Sequence, residues 1–189
     1  MENVLQVASR GEFRAWLEAN AATERECWVE VRRGRPCGEG VLWYLDAVEE
    51  ALCFGWIDST HKPINGVRLQ RFSPRKKNGL WTEQNKARVR RLERLGRMTD
   101  AGRAVLPEMN PRAFKPDPGV VTALKAARVW AEFQTFPPLY RRIRLYNLAF
   151  CKKRLPEQYE KALARLIAET KRGRIYGNWD DYGRLSEEL

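Results

Sequence analysis

The sequence predicts an α+β fold: a small antiparallel β-hairpin or sheet packed with helices, followed by a helical C-terminal half. Three observations carry this expectation. Two strand-like runs flank Asn65-Gly66, a strong short-range hairpin signal. Amphipathic helix patterns with capping residues lie on either side of that hairpin. Beyond Pro111, Pro116 and Pro118 every remaining periodic segment is helical.

Taken in order, Ser9 followed by Glu12 reads as a capping box, and Phe13, Trp16 and Leu17 then share one face of a helix reaching about Asn20. Cys27 to Val31 is rich in strand formers and ends at the turn residues Gly34, Pro36 and Gly38. Leu45 to Phe54 reads as a helix with Leu45, Val48, Ala51 and Leu52 buried, and Gly55 stops it. Trp56 to Thr60 and Val67 to Phe72 form the hairpin arms, the second showing Arg68 to one side. A basic loop, Ser73 to Gly79, leads to a helix capped by Thr82 and ended by Gly96, with Val89, Leu92 and Leu95 as its apolar stripe. Thr99 to Arg103 begins a short helical turn. Helices are expected over Gly119–Phe133, Leu139–Arg154 and Pro156–Arg172. The resulting organisation is an α+β basic domain over 1–110, a proline-rich connector over 111–118, a helical region over 119–177 and a weakly ordered tail over 178–189.

Among 189 residues, 43% are hydrophobic, enough to build a core and to exclude a disordered chain. The formal charge of +11 is concentrated: residues 1–66 carry a net −4, residues 67–115 a net +10 and residues 116–189 a net +5. Such a field attracts acidic or phosphate-bearing ligands, with nucleic acid or an anionic protein as candidate forms. No stretch approaches the roughly 20 apolar residues of a membrane helix, and the start lacks a signal-peptide pattern. The expected location is cytoplasmic. Cys27, Cys37, Cys53 and Cys151 form no metal-ligand spacing, and His61 is the single histidine. No metal and no cofactor are therefore expected, and no phosphate-binding glycine loop, serine elbow or metal triad is present. No catalytic residue is assigned. Oligomeric state is not readable from the sequence.

Three groups of residues are candidate sites. Trp56, Asp58 and His61 suit a polar cluster at a pocket mouth, with Asp58 orienting His61; the competing reading is a buried Trp beside a surface hairpin end. Cys53 with His61 would make a nucleophile and base, against which stands the position of Cys53 on a helix stripe. Arg71, Arg75, Lys76 and Lys77, feeding a helix N-terminus that bears Trp81 and Asn85, suit an anion site, since free N–H groups and the helix dipole favour negative charge and arginine adds bidentate geometry; the competing reading is a solvated basic loop with Trp81 in the core and Asn85 capping. Lys86, Arg90, Arg94 and Arg97 suit phosphates of a nucleic acid, or a solvated helix face.

The run Ala51-Leu52-Cys53-Phe54-Gly55-Trp56-Ile57-Asp58, then Arg71-Phe72-Ser73-Pro74-Arg75 and Trp81-Thr82-Glu83-Gln84-Asn85, resembles the YdeI/OmpD-associated family of bacterial proteins. Gly96-Arg97-Met98-Thr99 and Thr170-Lys171-Arg172-Gly173 extend the likeness over most of the chain, with departures at Ser59 and Gly79. The resemblance implies a role in protection against bacteriocins and cationic antimicrobial peptides. Three functions stay open at this point: a non-enzymatic binding or stress-protection protein with a basic anion site, a non-specific nucleic-acid binder, and an enzyme on a phosphorylated or acidic small molecule.

Overall fold

The computed structural model describes residues 3–77 and 79–186. The α+β expectation holds: among these residues are one three-stranded antiparallel sheet and eight α-helices, with a helical C-terminal half. The chain divides into two compact units, Met1–Leu80 with Arg88–Pro107, and Trp81–Ala87 with Glu108–Leu189.

In the first unit, α1 (Arg10–Asn20) begins where the capping box places it, with Ser9 Oγ accepting from the Glu12 N–H at 3.2 Å and the Glu12 carboxylate accepting from the Ala8 N–H at 2.7 Å. Next come β1 (Cys27–Glu30), α2 (Tyr44–Cys53), β2 (Trp56–Ile64) and β3 (Val67–Pro74), with β3 central in the order β1-β3-β2. Phe13 of α1 meets Phe72 of β3 at 5.3 Å between ring centroids, and Trp16 meets Trp56 edge-on at 5.8 Å, so α1 covers one sheet face. Gly55 stops α2 with φ +73°, a conformation open to glycine at no steric cost. The short α4 (Asp100–Arg103) docks on that stop: Thr99 caps it and also donates from Oγ1 to the Cys53 carbonyl at 2.7 Å.

The expected apolar stripe of α2 is too narrow. Every residue from Leu45 to Cys53 is buried, including Asp46, Glu49 and Glu50. Four arginines make this tolerable. Arg10 pairs with all three acids, Arg14 and Arg97 bind Glu50 at 2.9 and 2.6 Å, and Arg91 binds Glu49 at 3.0 Å. Burial alone would raise the Glu50 pKa, but the Arg10 charge and the hydrogen bonds from Arg97, Arg14 and Arg10 outweigh it and hold the carboxyl below its ordinary value. Part of the basic excess is thus internal counter-charge. Helix α3 (Glu83–Arg94) is capped by Thr82, as expected, but Leu95 of its predicted stripe is 54% exposed.

In the second unit, α7 (Pro138–Arg154) pairs with α8 (Pro156–Lys171), and α5 (Pro118–Ala126) and α6 (Trp130–Thr135) complete the bundle around Val120, Leu124, Phe133, Tyr140 and Leu166. The single helix expected over Gly119–Phe133 is two. Arg128 sits at φ +57°, with Val129 N–H donating to the Leu124 carbonyl and Arg128 N–H to that of Lys125, a Schellman stop built without glycine. The proline-rich connector holds a 3-10 turn over Pro111–Ala113 and ends at Asp117, which caps α5 and pairs with Lys152 at 3.0 Å. The tail also departs from expectation. Residues 178–186 fold into turns that bury Leu185 beside Ala87, Leu139 and Ile143, and Asp181 accepts from Gln84 at 2.8 Å; residues 187–189 lie outside the described residues. No helix among the described residues is long and apolar enough to cross a membrane.

Candidate functional site

The site starts from a register shift in β2. Asp58 opposes Phe72 and His61 opposes Gln70, so three steps on β2 match two on β3. Directly opposed residues share a sheet face, and Gln70 and Phe72, two apart, share one as well. The bulge therefore puts Asp58 and His61 on the same face, whereas a regular strand would send residues three apart to opposite faces.

Gln70 explains how the bulge is held. It is 1% exposed, its Nε2 donates to the Ser59 and Thr60 carbonyls at 3.3 and 3.2 Å, and its Oε1 accepts from Arg33 Nη2 at 2.9 Å. The Arg33 guanidinium lies over the Tyr44 ring, 4.3 Å from its centroid. The Tyr44 hydroxyl donates to Asp58 Oδ2 at 2.6 Å. Bulge, amide, guanidinium, phenol and carboxylate form one chain of contacts. Arg33 also lines a cavity of about 590 Å³ with Arg32, Glu30, Val7 and Gly40 to Leu42.

The electrostatics are cationic. The Tyr44 phenol is pushed well above its ordinary range, first by burial and then by the Asp58 charge, with Arg88 and Arg33 opposing. The His61 pKa is lowered by desolvation and then by Arg33 and Arg68, although its side chain is exposed. Arg33 and His61 are thus exposed on a scaffold whose own hydrogen bonds fix the guanidinium. Arg33 contacts a neutral amide and a ring, which leave its charge for another group.

The predicted residues are dispersed. Trp56 is core, 1% exposed and donating to the Ala21 carbonyl, so it does not stand at a pocket mouth. Asp58 serves Tyr44 and does not orient His61 as a base. Cys53 is fully buried and its thiol is pushed up to about 11 by burial, which removes the nucleophile reading. Arg71 is paired with Glu26 at 2.6 Å on the sheet. Arg75 is buried and donates to the Leu80 carbonyl, tying down its own loop, while Lys77 is exposed. Trp81 and Asn85 are buried and belong to the second unit, whereas Arg71 and Arg75 belong to the first. Of the helix cations, Lys86 pairs with Glu83 and Arg97 with Glu50; Arg90 is half-buried and Arg94 exposed. A continuous phosphate-tracking stripe does not result.

Sequence reasoning missed Arg33, Tyr44, Gln70 and Arg88 and noted Arg68 only in passing. One signal for Gln70 was present: Leu69 and Phe72 are three apart, so the apolar phase of β3 breaks between them, at Gln70.

All of these site residues fall within a family match. A domain of unknown function, DUF8412, matches residues 5–105, more than half of the chain. The chain belongs to the DUF8412 family. No curated protein and no solved structure matches the chain. The DUF8412 match takes in every secondary-structure element from α1 to α4, so the bulge, the Arg33 contacts and the buried arginine–glutamate cluster are all features of the DUF8412 portion.

Proposed function

We propose that this DUF8412 protein is a non-enzymatic, cytoplasmic binding protein that holds an acidic or phosphate-bearing ligand on the sheet face around Arg33, His61 and Arg68. The observation that carries the reading is an arginine fixed by neutral partners: Gln70 Oε1 and the Tyr44 ring hold the Arg33 guanidinium, and the exposed His61 imidazole is disfavoured as a cation first by desolvation and then by the Arg33 and Arg68 charges. An anion placed there relieves that repulsion. Arginine also offers planar, bidentate geometry for carboxylate or phosphate.

The motif likeness to the YdeI/OmpD-associated proteins supports a stress-protection role. With a net charge of +11, direct capture of a cationic peptide is opposed at long range, though salt screens this beyond about 8 Å. The protective effect would pass through the anionic ligand. The nucleic-acid reading is less favoured, since Lys86 and Arg97 are engaged with internal carboxylates.

The test is a thermal-shift and calorimetric screen of inorganic phosphate, nucleotides and acidic metabolites. A ligand at 100 times its Kd is expected to raise Tm by about 5–10 °C. The Arg33→Gln, Arg68→Gln double variant should lose that shift while keeping its fold. Retention of the full shift by the double variant refutes the site.

A further inference from the structure

The outer edge of β1 is paired on both sides of one residue and open at that residue. Trp28 N–H donates to the Asn3 carbonyl and its carbonyl accepts from Leu5 N–H; Arg32 N–H donates to the Leu42 carbonyl and its carbonyl accepts from Tyr44 N–H. Both flanking segments run parallel to β1. Along a strand, backbone groups alternate in direction with period two. Trp28 and Arg32 point their groups outward, so Glu30 between them does too. No backbone hydrogen bond from another segment reaches the Glu30 N–H or carbonyl among the described residues. The open rung faces the cavity of about 590 Å³, whose wall includes Glu30, Val31, Arg32 and Arg33.

We infer that this gap takes the last two residues of a short peptide, the penultimate one paired with Glu30 as a rung parallel to β1. The inference rests on the anion-binding reading of Arg33 and names the ligand class. Two successive peptide units supply the carbonyl and the N–H that the Glu30 rung needs, as those flanking Val4 do for Trp28. A ligand lying parallel, as both neighbouring segments do, points its carboxylate toward Arg32 and Arg33. Those two cations are already steered, Arg32 over the Trp43 ring at 5.6 Å and Arg33 over Tyr44 at 4.3 Å. The Glu30 side chain stands off the sheet roughly perpendicular to the rung, so it leaves the edge accessible. Because Asn3–Leu5 and Leu42–Tyr44 close the edge on either side, a long strand does not fit and a short terminus does.

The test uses the full-length protein, isotope-labelled, with four probes: N-acetyl-Ala-Ala bearing a free carboxylate, the same peptide with a C-terminal amide, acetate, and inorganic phosphate. The free-acid peptide is expected to slow exchange of the Glu30 amide at least tenfold. The amide-capped peptide is expected to bind at least tenfold more weakly, as is the free acid to the Arg33→Gln variant. Equal binding of acid and amide, or binding that leaves Glu30 exchange unchanged, overturns the inference. Phosphate binding without peptide binding overturns the peptide rung and leaves the anion site standing; binding of neither overturns both.

Discussion

Tyr44 donates to Asp58 Oδ2 at 2.6 Å, tying the first turn of α2 to the strand residue just before the β-bulge. The bond is charge-assisted and only partly buried, so Tyr44→Phe should cost about 1.5 kcal/mol, the low end for hydrogen bonds to charged groups. Urea denaturation measures this. The same variant should also loosen Arg33 and weaken anion binding; unchanged affinity would separate the phenol from the site.

Anion binding should depend on pH through His61. Its folded pKa lies below the ordinary 6.5, pressed down by desolvation and by Arg33 and Arg68, so protonation weakens the ligand-free fold as pH drops through that region. A bound anion favours the imidazolium and raises the pKa, so affinity should increase as pH falls from about 7.5 to 5.5. Calorimetry in buffers of different ionisation enthalpy should report proton uptake, and His61→Asn should flatten the profile.

Glu50 holds three arginines inside the first unit. Replacing it with Gln leaves those cations short of a counter-charge and should destabilise the protein by about 3 kcal/mol, the lower end for a buried pair because the arginines keep some solvent contact. The Glu50 folded pKa lies below 4.5, so its contribution is fully present above pH 4.5 and lost as pH falls through the folded value. In Glu50→Gln that part of the acid transition should disappear, as read by denaturation midpoints across pH.

Gly102 lets α4 approach the end of α2. A Cβ there would lie 2.2 Å from the Cys53 carbonyl oxygen, a backbone atom that cannot step aside cheaply. Gly102→Ala should therefore destabilise by about 2–3 kcal/mol, as overpacking does. Gly11→Ala, on α1 with open space around it, is the control and should be neutral or stabilising.

Arg128 occupies the position where most such helix stops use glycine. It is exposed and its φ is +57°. Arg128→Gly should stabilise the second unit by about 0.5–1 kcal/mol by removing the left-handed strain, and thermal unfolding is the measurement.

Local signals were legible because they depend on nearest neighbours. The Ser9 cap, the Gly55 stop, the Asn65-Gly66 turn, the Thr82 cap and the α+β class all follow from spacing and backbone preference. The break at Arg128 was not, because an arginine carries no signal for positive φ. The polar site was legible only at Asp58 and His61, and their shared face depends on a one-residue bulge that Gln70 stabilises from another strand.

By itself the sequence determined the element order from α1 to α4 and a basic excess of charge centred on residues 67–115. It could not say where that charge acts. Only the tertiary structure turned Arg91 and Arg97 inward onto the buried acids of α2, paired Arg71 with Glu26 and buried Arg75 in its own loop. It also brought Arg33, from outside the basic stretch, into contact with Gln70 and Tyr44. The physical reason is that a charge's role is set by which counter-charges and solvent surround it, and those neighbours come from elements far apart in the chain.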